Sequence, residues 1–122
     1  SRGAVFCVFI DESRHAEEAV RRNVSECGFG TRADVFRKRF PAVLEFLRAR
    51  KERFDLVLVD PPYGKETIYP ILKTLVAAEI FASGAVVAAE HEAGDPVRAD
   101  VLGVRVLQEK RYGSTAVTFL EM

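Results

Sequence analysis

Continuous apolar runs alternate along this chain with amphipathic segments, and that alternation restricts the fold more than any other feature. Residues 4–10, AVFCVFI, are apolar without a break and end on Asp11. Such a run is expected of a strand covered on both faces in a parallel sheet. FDLVLV at 54–59 and SGAVVAAE at 83–90 repeat the pattern, the second starting as a strand after Gly84. Between them lie helical spacings. Ser13 can cap a first helix with Glu17 and Glu18 in its first turn; Ala16, Ala19, Val20, Val24 and Cys27 form its apolar stripe, and Gly28 closes it. A short extended piece around Thr31 to Ala33 leads to Asp34, just past that strand. Pro41 fits the first turn of a second helix with Val43, Leu44 and Leu47 inward, ending among RARKER. Ile68, Ile71, Leu72, Leu75 and Val76 mark a third helix running to about Glu79. From 101 the character changes: 101–112 and 115–121 alternate, contain no expected helix, and meet at Gly113-Ser114, a tight hairpin turn. The resulting expectation is a three-layer α/β sheet, mostly parallel, with a C-terminal antiparallel hairpin.

A chain of 122 residues with 48% hydrophobic residues can close one core, so a single domain over 1–122 is expected. Lysine plus arginine equals aspartate plus glutamate, 18 of each, so no net field draws the whole molecule to nucleic acid or an anionic membrane. Cys7 and Cys27 lack a metal-like set of histidines, pointing to a reducing compartment and to thiols used for packing. No apolar stretch approaches the ~20 residues of a membrane span, and no charged-then-apolar leader opens the chain. A soluble, cytoplasmic protein is expected.

Acids close or follow three of the strands: Asp11, Asp34 and Asp60. In open α/β sheets ligands bind at the carboxyl edge, and an acid there commonly accepts hydrogen bonds from ribose hydroxyls, the role given to Asp11. Any one of these acids can equally cap the following turn; only the joint arrangement favours a site. Asp60-Pro61-Pro62-Tyr63 is more specific. Two prolines fix φ and remove two N–H donors, so the turn presents carbonyl oxygens without competing donors. The Asp60 carboxylate and Pro61 carbonyl can hold the hydrogens of a base's exocyclic amine while Tyr63 stacks on the ring. Acceptors that hold the amine in pyramidal geometry localise its lone pair for attack, a form of electrostatic preorganisation. The plain alternative is a strand-ending proline turn with a partly buried tyrosine.

VDPPY after an apolar strand resembles motif IV of the class I S-adenosylmethionine-dependent methyltransferases that modify exocyclic amines of nucleic-acid bases. FIDESRHAEEAVRRNV, ADVFRKRF, FDLVLVDPPY and YGSTAVTF resemble, in order and spacing, the bacterial RsmD-like enzymes that methylate guanine N2 in small-subunit (16S) ribosomal RNA. The resemblance covers nearly all of the chain. It implies a Rossmann-like methyltransferase fold, S-adenosylmethionine as cofactor, and ribosomal RNA or a small-subunit assembly particle as partner. It implies Asp11 on the cofactor ribose, Glu12 flanking the adenine, Asp34 and Val35 on the adenine, and Asp60, Pro61, Pro62 and Tyr63 on the target amine and base. The same tetrapeptide would serve an adenine-N6 methyltransferase.

The resemblance also implies that the family's first strand and glycine-rich loop lie upstream of SRGA. The strands beside that position would then have unpaired edges and exposed apolar faces, or pair with a second copy, and these residues alone would bind cofactor weakly or not at all. A non-catalytic α/β module is the other reading. Arg37, Lys38, Arg39, Arg48, Arg50, Lys51 and Arg53 could meet RNA phosphates, although a solvated helix face is the commoner use of such a run. His15, His91 and Lys65 read as ordinary polar residues. No metal is expected, since neither histidine has a ligand partner at helical spacing.

Overall fold

In the computed structural model, residues 3–61 and 68–122 are described. They divide into two compact units, Ser1–Phe46 and Leu47–Met122.

In the first unit, β1 (Cys7–Asp11) pairs in parallel with β2 (Ala33–Arg37) through α1 (Arg14–Glu26). Ser13 is the N-cap of α1, its hydroxyl accepting the Ala16 N–H at 3.4 Å. At the other end Gly28, at φ 73°, donates to Ser25 while Phe29 donates to Val24. This closing turn needs a left-handed residue, which glycine supplies without strain. Arg21 reaches from α1 to the Val35 carbonyl at 2.6 Å and is held by Glu17, so the helix is fixed against β2.

β1 departs from expectation. Its apolar run does not lie covered on both faces: Phe9 and Ile10 are more than a third exposed, and Val5 and Phe6 before it more so. Among the described residues no strand pairs with its second edge. Cys7 and Cys27 are exposed free thiols, so the packing role expected of them does not hold.

α2 (Ala42–Ala49) contributes residues to both units, with Val43, Leu44 and Leu47 buried as their spacing requires. Two residues past its end Lys51, at a left-handed φ of 56°, donates to Arg48 while Glu52 donates to Leu47.

The second unit is a four-stranded sheet in the order β3-β4-β6-β5. β3 (Phe54–Val59) runs parallel to β4 (Phe81–Glu92), with α3 (Ile68–Val76) between them in sequence. β4 starts at Phe81, four residues before the Ala85 that Gly84 suggested. Its first part pairs through Phe54 and Phe81, then Gly84, at φ 72°, sits in an irregularity before Leu56 meets Val86. A glycine inside a strand marking a bulge explains why it resembled a boundary.

The segment after residue 98 also differs from the helix-free expectation. α4 (Ala99–Leu102) is a single turn, closed by Gly103 at φ 68°. β5 (Arg105–Tyr112) and β6 (Thr115–Glu121) then form the expected hairpin, with Tyr112 opposite Thr115 across Gly113-Ser114. Ile68, Ile71, Leu72 and Leu75 are buried with Ala85, Val87 and Ala89 of β4 and Ala116 and Leu120 of β6. Each large apolar side chain removed from water here contributes about 1.5–3 kcal/mol. β5 is exposed along its length.

Candidate functional site

Of the residues singled out in the sequence, Asp11, Glu12, Asp60 and Pro61 stand at or just past the carboxyl ends of parallel strands. In the first unit β1 ends on Asp11, whose Oδ1 accepts the Ser13 N–H at 2.7 Å. That bond does what the plain reading of Asp11 required: it shapes the turn into α1. It also sets the orientation of an exposed carboxylate at a parallel strand's carboxyl end. The Asp11 carbonyl accepts the Lys38 N–H at 3.1 Å, joining the exits of β1 and β2. Across the same exits Glu12 pairs with Arg39 at 3.1 Å, both largely in solvent.

Asp34 and Val35 are not where the sequence suggested. β2 is Ala33–Arg37, so Asp34 is its second residue, opposite Val8, and the strand ends at the level of Asp11 on Arg37. With about 3.3 Å per residue, Asp34 lies roughly 10 Å short of the carboxyl edge. Val35 is a buried core residue with its carbonyl taken by Arg21. The signal behind the misplacement was the polar Thr31-Arg32, read as strand; it belongs to a 3-10 turn, Gly30–Arg32, that precedes the strand. The residues that do occupy the β2 exit are basic. Arg37 lies 3.9 Å from Glu17, and the Lys38 ammonium sits 4.5 Å over the Phe46 ring.

In the second unit Asp60 follows the Val59–Ala89 pair that ends β3. Its carboxylate is exposed and Pro61 is half-buried. Pro62, Tyr63 and Lys65 lie outside the described residues.

β4 continues past the level of Asp60 to Glu92. His91, near its end, is 6% exposed. Its Nδ1 is 2.9 Å from the Glu92 carbonyl, which only accepts, so Nδ1 carries a proton. Its Nε2 meets the Thr118 hydroxyl at 2.9 Å. His91, expected to be an ordinary polar residue, is thus a buried group with both ring nitrogens hydrogen-bonded. Glu109 stands beyond Thr118 on β5; the Arg111 guanidinium hydrogen-bonded to it holds its carboxyl below the usual carboxylate range.

The stretch EAGDPVRAD has a linker's composition but not a linker's behaviour. Ala93 donates to the Ser114 carbonyl at 2.8 Å, Asp95 donates to Glu92 at 2.9 Å, and Asp95 Oδ2 accepts the Ile68 N–H at 2.6 Å. Arg98 then places its guanidinium 4.8 Å over the Tyr69 ring. The available signal was Asp followed by Pro, a frequent turn starter whose carboxylate can seek a neighbouring N–H. No group of residues able to hold a metal occurs among the described residues, and none of the described helices is long and apolar enough to cross a membrane.

Parallel pairs β1-β2 and β3-β4 with acids at their exits, and an antiparallel hairpin whose last strand inserts beside β4, define a Rossmann-like methyltransferase fold. A Streptococcus pyogenes structure described as a conserved hypothetical protein superposes with a TM-score of 0.87 at 26% identity, over 98% of this chain and 73% of that one. SMU.776, solved in complex with SAH, shares the fold at 12% identity and a TM-score of 0.79, over 98% of this chain and 40% of that one.

The family model "Conserved hypothetical protein 95" matches residues 1–121, and the chain belongs to that family, the RsmD-like one that its motifs resemble. It is 24% identical over 117 residues to a Bacillus subtilis (strain 168) protein named "Putative rRNA methyltransferase YlbH", covering 96% of this chain. It spans 64% of that relative's length.

Proposed function

We propose that the protein containing this chain transfers a methyl group from S-adenosylmethionine to an exocyclic amine of a nucleic-acid base, with guanine N2 of small-subunit ribosomal RNA as the target. The observation that carries this is the exposed Asp60 carboxylate at the carboxyl end of a parallel strand, followed at once by Pro61, in a chain of this family. The methyltransferase named for the Bacillus relative supports the RNA substrate, and the SAH of SMU.776 supports the cofactor.

The residues fit the cofactor unevenly. Asp11 suits a ribose diol: it is exposed, ends a parallel strand, and is oriented through the Ser13 N–H. Glu12 stands next to it, held by Arg39. Asp34 and Val35 do not suit the adenine contact implied by the family, because they lie at the entry and middle of β2. Lys38 and Arg39, at the β2 exit, are the residues we assign to that side of the cofactor.

When bound, S-adenosylmethionine supplies an electrophilic methyl on a sulfonium. The protein's part is orientation. The Asp60 carboxylate and the Pro61 carbonyl accept the two amine hydrogens, which turns the nitrogen lone pair out of the ring's π-system and toward the methyl. Tyr63 stacks on the base and Pro62 keeps the turn free of a competing N–H. The basic side chains at the β2 exit screen the approaching phosphates.

The test is methyl transfer from labelled S-adenosylmethionine by the full-length protein to unmethylated small-subunit RNA, naked and in assembly particles, with Asp60→Ala beside wild type. Loss of at least about a hundredfold in kcat is expected on removing one preorganised acceptor. Asp60→Ala turning over at the wild-type rate would refute the assignment. Mass spectrometry of the product nucleosides separates guanine N2 from adenine N6.

A further inference from the structure

The segment that carries Pro62 and Tyr63 is followed in the chain by Ile68, and Ile68 is fixed from an unexpected direction. Its side chain is wholly buried, and its N–H donates to Asp95 Oδ2 at 2.6 Å. A helix leaves the N–H groups of its first turn without partners within the helix, and a carboxylate from elsewhere in the fold is a strong acceptor for one of them. Asp95 is itself held. Its N–H donates to the Glu92 carbonyl at 2.9 Å, the same carbonyl that accepts His91 Nδ1–H, and His91 is anchored through Thr118 to β6. Ala93 ties the loop to the hairpin turn through Ser114. A second clasp lies one turn of chain away, where Arg98 stacks on Tyr69, the residue after Ile68.

From this chain of contacts we infer that Asp95 is a positioning residue for methyl transfer: it fixes Ile68, the first residue of the helix that follows the DPPY motif in the chain. On the other side of the motif, Asp60 directly follows the Val59–Ala89 pairing of β3 with β4. Misplacing a reacting group by about 1 Å can cost about a hundredfold in rate, so the anchors that precede and follow the motif in the chain bear on the reaction. The C-terminal hairpin thereby acts on the reaction without touching the substrate. This inference rests on the methyl-transfer reading above and extends it to the loop after β4.

The test uses full-length Asp95→Ala and Asp95→Asn with two readouts. In the RNA assay, Asp95→Ala is expected to lower kcat by roughly ten- to a hundredfold with the KM for S-adenosylmethionine unchanged. Asp95→Asn retains a side-chain oxygen acceptor and is expected to recover most of the loss. Independently of activity, amide exchange read by mass spectrometry across residues 62–72 is expected to quicken in Asp95→Ala and stay near wild type in Asp95→Asn. The inference is overturned if Asp95→Ala keeps wild-type kcat, or if its activity falls only in proportion to the fraction unfolded. It is also overturned if Asn restores nothing while exchange is unchanged. Wild-type protein that shows the protected amides yet transfers no methyl would instead sink the methyl-transfer reading, and reduce the Asp95 contact to a structural one.

Discussion

β3 and β6 are both short, both carry apolar residues along their length, and both lie in one sheet, yet they meet water differently. In β6, Ala116, Thr118 and Leu120 are buried in alternation with half-exposed neighbours. In β3, Leu56 and Leu58 are 58% and 74% exposed, while Val57 and Val59 are half-buried. The register explains the split. Val57 and Val59 pair with Val87 and Ala89, whose side chains face the core, so Leu56 and Leu58 point to the other face. β6 has partners on both edges, whereas among the described residues β3 pairs with β4 alone. FDLVLV asks for cover on two faces and obtains it on one among the described residues. Apolar composition therefore announces a strand reliably, whereas its burial is a property of whatever elements surround it. β1 teaches the same in the other unit, where Phe9 and Ile10 stay partly in solvent beside an edge that no strand among the described residues pairs with.

The contrast can be broken by substitution. Leu120→Ala is expected to have the largest effect, lowering the unfolding free energy by about 2–5 kcal/mol in urea titration, since it removes wholly buried methyl groups and leaves a cavity. Thr118→Val comes next. It keeps the shape of the side chain but leaves His91 Nε2 without its hydroxyl partner, at a cost of about 1–3 kcal/mol by the same titration. Leu58→Gln is expected to change stability least, within about 0.5 kcal/mol, because most of that side chain already meets water. A loss at Leu58 as large as that at Leu120 would mean that this face of β3 is covered in solution, and the comparison between the strands would fail.

Much of the element order was legible from local rules. Ser13 and Gly28 bound α1 as their chemistry dictates, and Gly113-Ser114 turns the hairpin where a two-residue loop was expected. The errors fell where a local signal has two readings. Gly84 is a bulge inside β4 that looked like its start, and Gly103 closes a single helical turn inside a stretch that alternates like a strand. Asp34 was one of three acids assigned to the ligand edge, but its strand begins later than its neighbours' polarity implied. Of the proposed site, Asp11 and Asp60 were found from their position after apolar runs, and the structure places both at strand exits.

By itself the sequence determined the alternation of strand and helix, the hairpin and the acid-proline motif, because each of these depends on side chains close together in the chain: caps, turn glycines, periodicity and the fixed φ of proline. Only the tertiary structure decided that β1 and β3 keep apolar faces in water, that Asp34 stands at the wrong end of its strand, and that Asp95 reaches back 27 residues to hold Ile68. Each of those depends on register and on contacts between distant segments. Propensity and periodicity carry no information about them, since they are set by which surfaces the folded chain brings together.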